Sequence, residues 1–159
     1  ELLMFISLAL VAAAAPSTSD ADQVRWRWPI DVPHSVMRPY IAPASPYAPG
    51  HRGIDIAAPR GTVYAPEGGT VHFAGTVVDR PVLSIRHPGG LLSSYEPVTT
   101  GLHAGDVVGR GDVIGSVVAG HCASACLHFG VRLSGDYISP LSLLGEIPRA
   151  VLLPTRGSS

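Results

Sequence analysis

From Thr62 to Leu133 apolar and polar residues alternate in short runs broken by glycine and proline, the period of two that belongs to half-buried β-strands. The runs predict strands at Thr62 to Ala65, Thr70 to Ala74, Pro81 to Arg86, Leu91 to Pro97, Val113 to Val118 and Leu127 to Leu133. Ile54-Asp55-Ile56 carries the same alternation upstream. No stretch has the spacing of a helix of convincing length, and only Pro140 to Leu144 has room for one helical turn. The pattern therefore predicts an all-β domain, an antiparallel β-sandwich or open barrel with a groove. In Gly105-Asp-Val-Val-Gly-Arg-Gly-Asp-Val-Ile-Gly115 the glycines read as turns, and Val107, Val108, Val113 and Ile114 as core.

The flanks differ in character. Leu2 to Ala15 is an apolar run ending in alanines, followed by Pro16-Ser-Thr-Ser, the shape of a signal-peptide core and cleavage region over residues 1–21. It falls short of the roughly 18 apolar residues of a membrane span, so membrane attachment is expected only if this segment stays uncleaved. Residues 22–45 hold Trp26 and Trp28 among prolines, and two tryptophans predict an irregular segment packed on the core instead of a free linker. The β domain is expected over 46–145, with a tail at 146–159 that carries no readable chemistry.

Composition narrows the partners. The formal net charge is −1, and only 14% of residues are charged, so there is no electrostatic footprint for nucleic acid. A secreted, monomeric protein is the expectation, and any association with a surface would need local contacts. The glycine-rich repeat is also similar to the turns of biotinyl and lipoyl carrier domains. Those modules attach their cofactor to a lysine, and all eleven basic residues here are arginine.

The candidate chemistry lies in His51-Arg-Gly-Ile-Asp55 and Cys126-Leu-His128. Imidazole nitrogen and carboxylate oxygen suit zinc, and three protein ligands with a fourth position open make a hydrolytic rather than a structural site. Extended, His51 and Asp55 would stand roughly 13 Å apart, so the chain must bend between them, and Gly53 is the expected place. In the second cluster Leu127, Phe129 and Val131 fall on one strand face, with Cys126 and His128 on the other. Cys122 and Cys126 are the only two cysteines; an even count in an exported chain favours a disulfide, which in so small a loop would act locally, contributing less than the roughly 3 kcal/mol of a fifteen-residue loop. The alternative is Cys126 as a thiolate fourth ligand, which would close the site.

From Pro46 to Leu144 the ordered motifs resemble the LytM/lysostaphin-type zinc metallopeptidases, which cleave peptide cross-links of bacterial peptidoglycan. The resemblance rests on the His-x-Gly-x-Asp turn, Ala58 to Ala65, Gly69 to Phe73, the His87 to Tyr95 hairpin, the Gly105 to Gly115 repeat, the Leu-His-Phe-Gly strand and Pro140-Leu141. It implies Zn2+ as cofactor, His51, Asp55 and His128 as its ligands, and peptidoglycan or cell-wall peptides as partner.

The chain departs from the family at two places. The family carries a histidine two residues after the hairpin tyrosine and another two before the last ligand, and those positions are Pro97 and Cys126 here. Neither proline nor a disulfide-bonded cysteine can move a proton. Three residues are candidate substitutes. Glu96 stands beside the missing histidine, although alternation from Tyr95 turns it to the other strand face. His121 precedes Cys122 and could fold over the site, with an exposed loop histidine as the plainer reading. Tyr95 could donate to a developing oxyanion, where core packing is the alternative. Arg52 is a candidate for a substrate carboxylate. Two functions follow, a zinc peptidase with an unconventional base and a catalytically inactive relative that binds peptidoglycan or regulates another wall hydrolase.

Overall fold

The computed structural model describes residues 25–45, 47–59 and 61–145, so the leader and the tail lie outside the described residues. Among the described residues the chain forms β1 (Val36–Arg38), β2 (Gly53–Ala57), β3 (Thr62–Tyr64), β4 (Gly69–Val77), β5 (Arg80–Arg86), β6 (Leu91–Glu96), β7 (Val98–Thr99), β8 (Val107–Val108), β9 (Val113–Val117), β10 (Cys126–Leu133) and β11 (Asp136–Ile138). One short helix, α1 (Leu141–Leu144), follows. It stops at Gly145, whose left-handed φ of 74° suits a residue without a Cβ. No described helix is long and apolar enough to cross a membrane.

Two antiparallel sheets result. The larger runs β1-β2-β10-β6-β5-β4-β8, with β11 also paired to β10, and the smaller runs β3-β9-β7. The fold is therefore an all-β arrangement of open antiparallel sheets. Alternation decides which face of each strand meets the core. Leu127, Phe129 and Val131 on β10 are fully buried, as are Ile54 and Ile56 on β2, Leu83 and Ile85 on β5 and Tyr95 on β6. Val63, Val98 and Ile114 of the smaller sheet join the same cluster. Each such side chain stabilises the fold by about 1.5–3 kcal/mol relative to exposure.

The repeat follows its predicted burial only in part. Val108 and Ile114 enter the core, whereas Val107 and Val113 are 82% and 61% exposed. Consecutive residues of a strand face opposite ways, so each Val-Val or Val-Ile pair can bury only one member. The segment from Arg25 to Ser45 is tied down by Trp26, Trp28 and Ile30, all buried, and it contributes the edge strand β1, which its prolines had masked.

The strand register places the site. On β10, His128 sits opposite Asp55 of β2 on one side and Glu96 of β6 on the other. Directly opposed residues share a sheet face, so Asp55, His128 and Glu96 form one row across three neighbouring strands, on the side away from Phe129 and Tyr95.

Candidate metal centre

The row supplies two donors and the chain entering β2 supplies a third. Ile41 and His51 form an isolated antiparallel bridge, and a bend at Arg52 leads into the strand, which brings His51 back over Asp55. Gly53 is needed here for a different reason from the expected curl. A Cβ there would lie 2.5 Å from the Phe129 carbonyl oxygen and 2.8 Å from His128 Nε2, so its hydrogen is what lets β2 approach β10 at the ligand row.

Three imidazole nitrogens converge on one carboxylate oxygen. Asp55 Oδ1 lies 3.1 Å from His51 Nε2, 2.8 Å from His128 Nδ1 and 3.1 Å from His121 Nε2, and His51 Nε2 stands 3.2 Å from His128 Nδ1. Donors of a tetrahedral zinc with bonds near 2.1 Å are spaced by roughly 3.4 Å, so the separations fit a first-row metal. All four donor atoms lie within 4.8 Å of one another, and the set of nitrogens and one oxygen is the kind zinc accepts. His51 Nδ1 donates to the Pro39 carbonyl at 2.7 Å, which fixes the tautomer and leaves Nε2 free as a ligand. His51 and Asp55 are nearly enclosed at 5% side-chain exposure, while His121 and His128 keep 18%. The site therefore opens to solvent on the His121 side.

The electrostatics match a cation-binding role. Burial alone would raise the Asp55 carboxyl, but the hydrogen bond from His128 and the neighbouring imidazoles override it and hold the group below its ordinary value. Burial lowers His128, against the opposing pull of Asp55. An ionised carboxylate beside a neutral imidazole is the protonation state that metal binding requires.

Around the donors lies a second layer that begins at His121. Its Nδ1 stands 3.4 Å from Glu96 Oε1 and 3.3 Å from Arg80 Nη1, and Arg80 Nη1 donates to the same Glu96 oxygen. Glu96 raises the pKa of the guanidinium, first through that hydrogen bond, so Arg80 is committed to it as a cation. His121 Nδ1 thus faces a donor and an acceptor together; in the tautomer that carries its proton on Nδ1, Glu96 accepts that proton and Nε2 keeps a lone pair for the metal position.

The sequence-predicted residues thus separate. His51, Asp55, His128 and His121 come together, and Glu96 faces them because its strand is in register with His128. Tyr95 is turned into the core, fully buried, with its hydroxyl 2.8 Å from Ser93 Oγ and its pKa raised by burial; it does not reach the cluster. Cys122 and Cys126 are joined as a disulfide, which removes the thiolate alternative. Arg52 donates to the Ala48 carbonyl and lies over the Tyr137 ring, beside a cleft of about 340 Å3 bounded also by Tyr40 and Asp136. Sequence reasoning missed Arg80 and the Pro39 carbonyl. Arg80 becomes visible only once β5 and β6 are in register, and a backbone acceptor leaves no trace in composition.

Residues 49–140 match the model of peptidase family M23. The chain belongs to that family. An uncharacterized protein of Mycobacterium tuberculosis is 46% identical over 143 residues, covering 85% of this chain and 57% of that protein, so the chain spans a little over half the length of this relative. The DD-carboxypeptidase/endopeptidase Mpg of Neisseria meningitidis is 34% identical over 101 residues, 62% of this chain and 24% of that one. Among solved structures, the catalytic domain of the antimicrobial peptidase lysostaphin from Staphylococcus simulans superposes with a TM-score of 0.60 at 19% identity, covering 71% of this chain and 93% of that one. This likeness is one of fold. At the two positions where M23 peptidases usually carry their non-ligand histidines, this member has Pro97, buried, and Cys126, buried and disulfide-bonded.

Proposed function

We propose that this M23 protein is an exported zinc peptidase acting on peptide cross-links of peptidoglycan, with His51, Asp55 and His128 as ligands and His121 in place of the two absent histidines. The observation that carries the reading is the convergence of His51 Nε2, Asp55 Oδ1 and His128 Nδ1 at a solvent-facing point that a fourth imidazole also reaches. Zinc bound there would supply Lewis acidity toward the scissile carbonyl and toward water. The chain's own residues do the rest. The Pro39 carbonyl holds the His51 tautomer, Glu96 with Arg80 orients His121, and His121 Nε2 takes and returns the proton that Pro97 and Cys126 cannot carry. Arg52 lines the neighbouring cleft and would meet a substrate carboxylate. Export is supported by the signal-like leader sequence and by the disulfide.

One observation favours a second reading. His121 Nε2 approaches Asp55 Oδ1 as closely as His51 Nε2 does, at 3.1 Å, so His121 could complete a closed, four-ligand zinc. The protein would then bind wall peptides without cutting them. Release of soluble muropeptides from purified peptidoglycan by the zinc-loaded protein, beside chelated and His51→Ala controls, decides between them. Release lost in both controls supports the peptidase. No release, together with a zinc affinity that falls at least tenfold in His121→Ala, establishes the closed site.

A further inference from the structure

We infer that the Cys122–Cys126 disulfide is the positioning element for His121, so that the cysteine standing at one lost histidine position fastens the loop that delivers the replacement. This rests on the placement of His121 in the proposed function, and it specifies how that placement is held. Cys122 follows His121 directly, and Cys126 lies two residues before His128 on the same face of β10. The bridge, with its Cα atoms 5.9 Å apart, thus links the residue beside His121 to the strand that carries His128.

Little else constrains the loop. Its ends are anchored where the Val118 amide donates to the Pro97 carbonyl and where the Ala125 carbonyl accepts from Ala58. Between those anchors the chain forms no helix or strand and, among the described residues, no backbone hydrogen bond. Gly120 adopts φ +135° just before His121, a conformation that side-chain-bearing residues rarely take. The imidazole itself meets Asp55 at 3.1 Å, Arg80 at 3.3 Å and Glu96 at 3.4 Å, side chains of other strands that reach the ring without fixing the backbone of its loop. A purely stabilising role for the disulfide is the weaker explanation. With a sequence separation of 4, the ring it closes removes less freedom from the unfolded chain than a longer loop would. Its larger effect is on where one side chain of the folded protein sits.

The test replaces zinc by cobalt(II) and follows the hyperfine-shifted ring protons of the histidines by NMR, beside muropeptide release by the zinc form. Three proteins are compared: wild type, Cys122→Ser/Cys126→Ser and His121→Ala. Reduction of wild type by a water-soluble phosphine provides a form that needs no substitution in the buried position 126. Phosphorus is oxidised to the phosphine oxide with oxygen from water, and the disulfide takes two electrons and two protons to become two thiols. In both opened forms, His51 and His128 are expected to keep their hyperfine shifts, which also shows that the fold and metal remain, while the His121 resonances move to diamagnetic positions. Turnover should fall to the level of His121→Ala, a loss of about 10²-fold or more, and opening the disulfide in His121→Ala should cost nothing further. A His121 hyperfine shift that persists in both opened forms overturns the inference. Failure of the functional reading looks different: wild type releases no muropeptides, while the His121 shift still reports whether the disulfide places the ring.

Discussion

Replacing Ser93 by alanine should destabilise the protein far more than its single hydroxyl suggests. His87 Nδ1 lies 2.9 Å from the Gly68 carbonyl and must donate to it, so Nε2 is an acceptor. Ser93 Oγ, 2.7 Å from that nitrogen, donates its proton there, and the Tyr95 hydroxyl, 2.8 Å away, donates to Ser93. All three side chains are buried, and the chain of donors runs one way. Ser93→Ala leaves two orphans, the Tyr95 donor and the His87 acceptor, at about 1–3 kcal/mol each. The expected loss is therefore about 2–6 kcal/mol, or a fall in Tm of about 8 °C at the lower end, taking about 4 °C per kcal/mol for a domain of this size. Tyr95→Phe alone removes one hydrogen bond and strands nothing, so it should cost about 1 kcal/mol. Combining the two removes the orphaned hydroxyl, and Tyr95→Phe should therefore recover about 1–3 kcal/mol in the Ser93→Ala background. Urea unfolding of the four proteins measures the cycle. A Ser93→Ala loss of about 1 kcal/mol with no recovery would refute both the assigned direction of the chain and its dryness. Zinc affinity and muropeptide release should be unchanged by Tyr95→Phe, because the hydroxyl lies on the core side of β6.

Other expectations follow from the same geometry. Gly53→Ala should weaken zinc binding at least tenfold and lower Tm, since its methyl group meets the Phe129 carbonyl and His128 together; isothermal titration with zinc checks it, and an unaltered affinity would mean β2 and β10 can separate freely. Zinc held at 100 times its Kd should add about 2.7 kcal/mol of stability, seen as a thermal shift that chelator reverses and that His51→Ala lacks. Burial lowers His87 against the hydrogen bond to Gly68. As pH falls below about 6.5 the unfolded chain therefore takes up a proton that the folded chain refuses, and stability present at pH 7 is lost toward pH 5. One such group gives at most about 1.4 kcal/mol per pH unit, and denaturation of His87→Gln across this range should show a slope shallower by up to that amount.

Much of this architecture was legible because strands announce themselves by alternation. The six runs from Thr62 to Leu133 all became strands, and the faces of β10 followed from Leu127, Phe129 and Val131 without any tertiary information. What stayed hidden depends on register. Alternation turns Glu96 away from Tyr95, as the structure has it, but only the pairing of β6 with β10 adds that this is the face His128 and Asp55 share. The short strands β7, β8 and β11 are too brief for a period to show. Gly53 was singled out for bending when its value is the absence of a side chain at a close approach, and Arg80 became relevant only through a neighbour sixteen residues away. His121 was visible as a candidate, but a loop histidine has no pattern to say where it points.

The row of Asp55, His128 and Glu96 has a consequence for how the chain reaches its native pairing. Shifting β2 or β10 by one residue, about 3.3 Å, turns every donor of the shifted strand to the opposite face. A mispaired sheet then presents isoleucine, leucine or phenylalanine where a metal would need oxygen or nitrogen. Zinc bound as proposed is held only by the correct alignment, so it would add its binding free energy to that alignment and to none of the slipped ones. On the proposed function, the ion would act as a proofreader of strand pairing before it takes any part in chemistry.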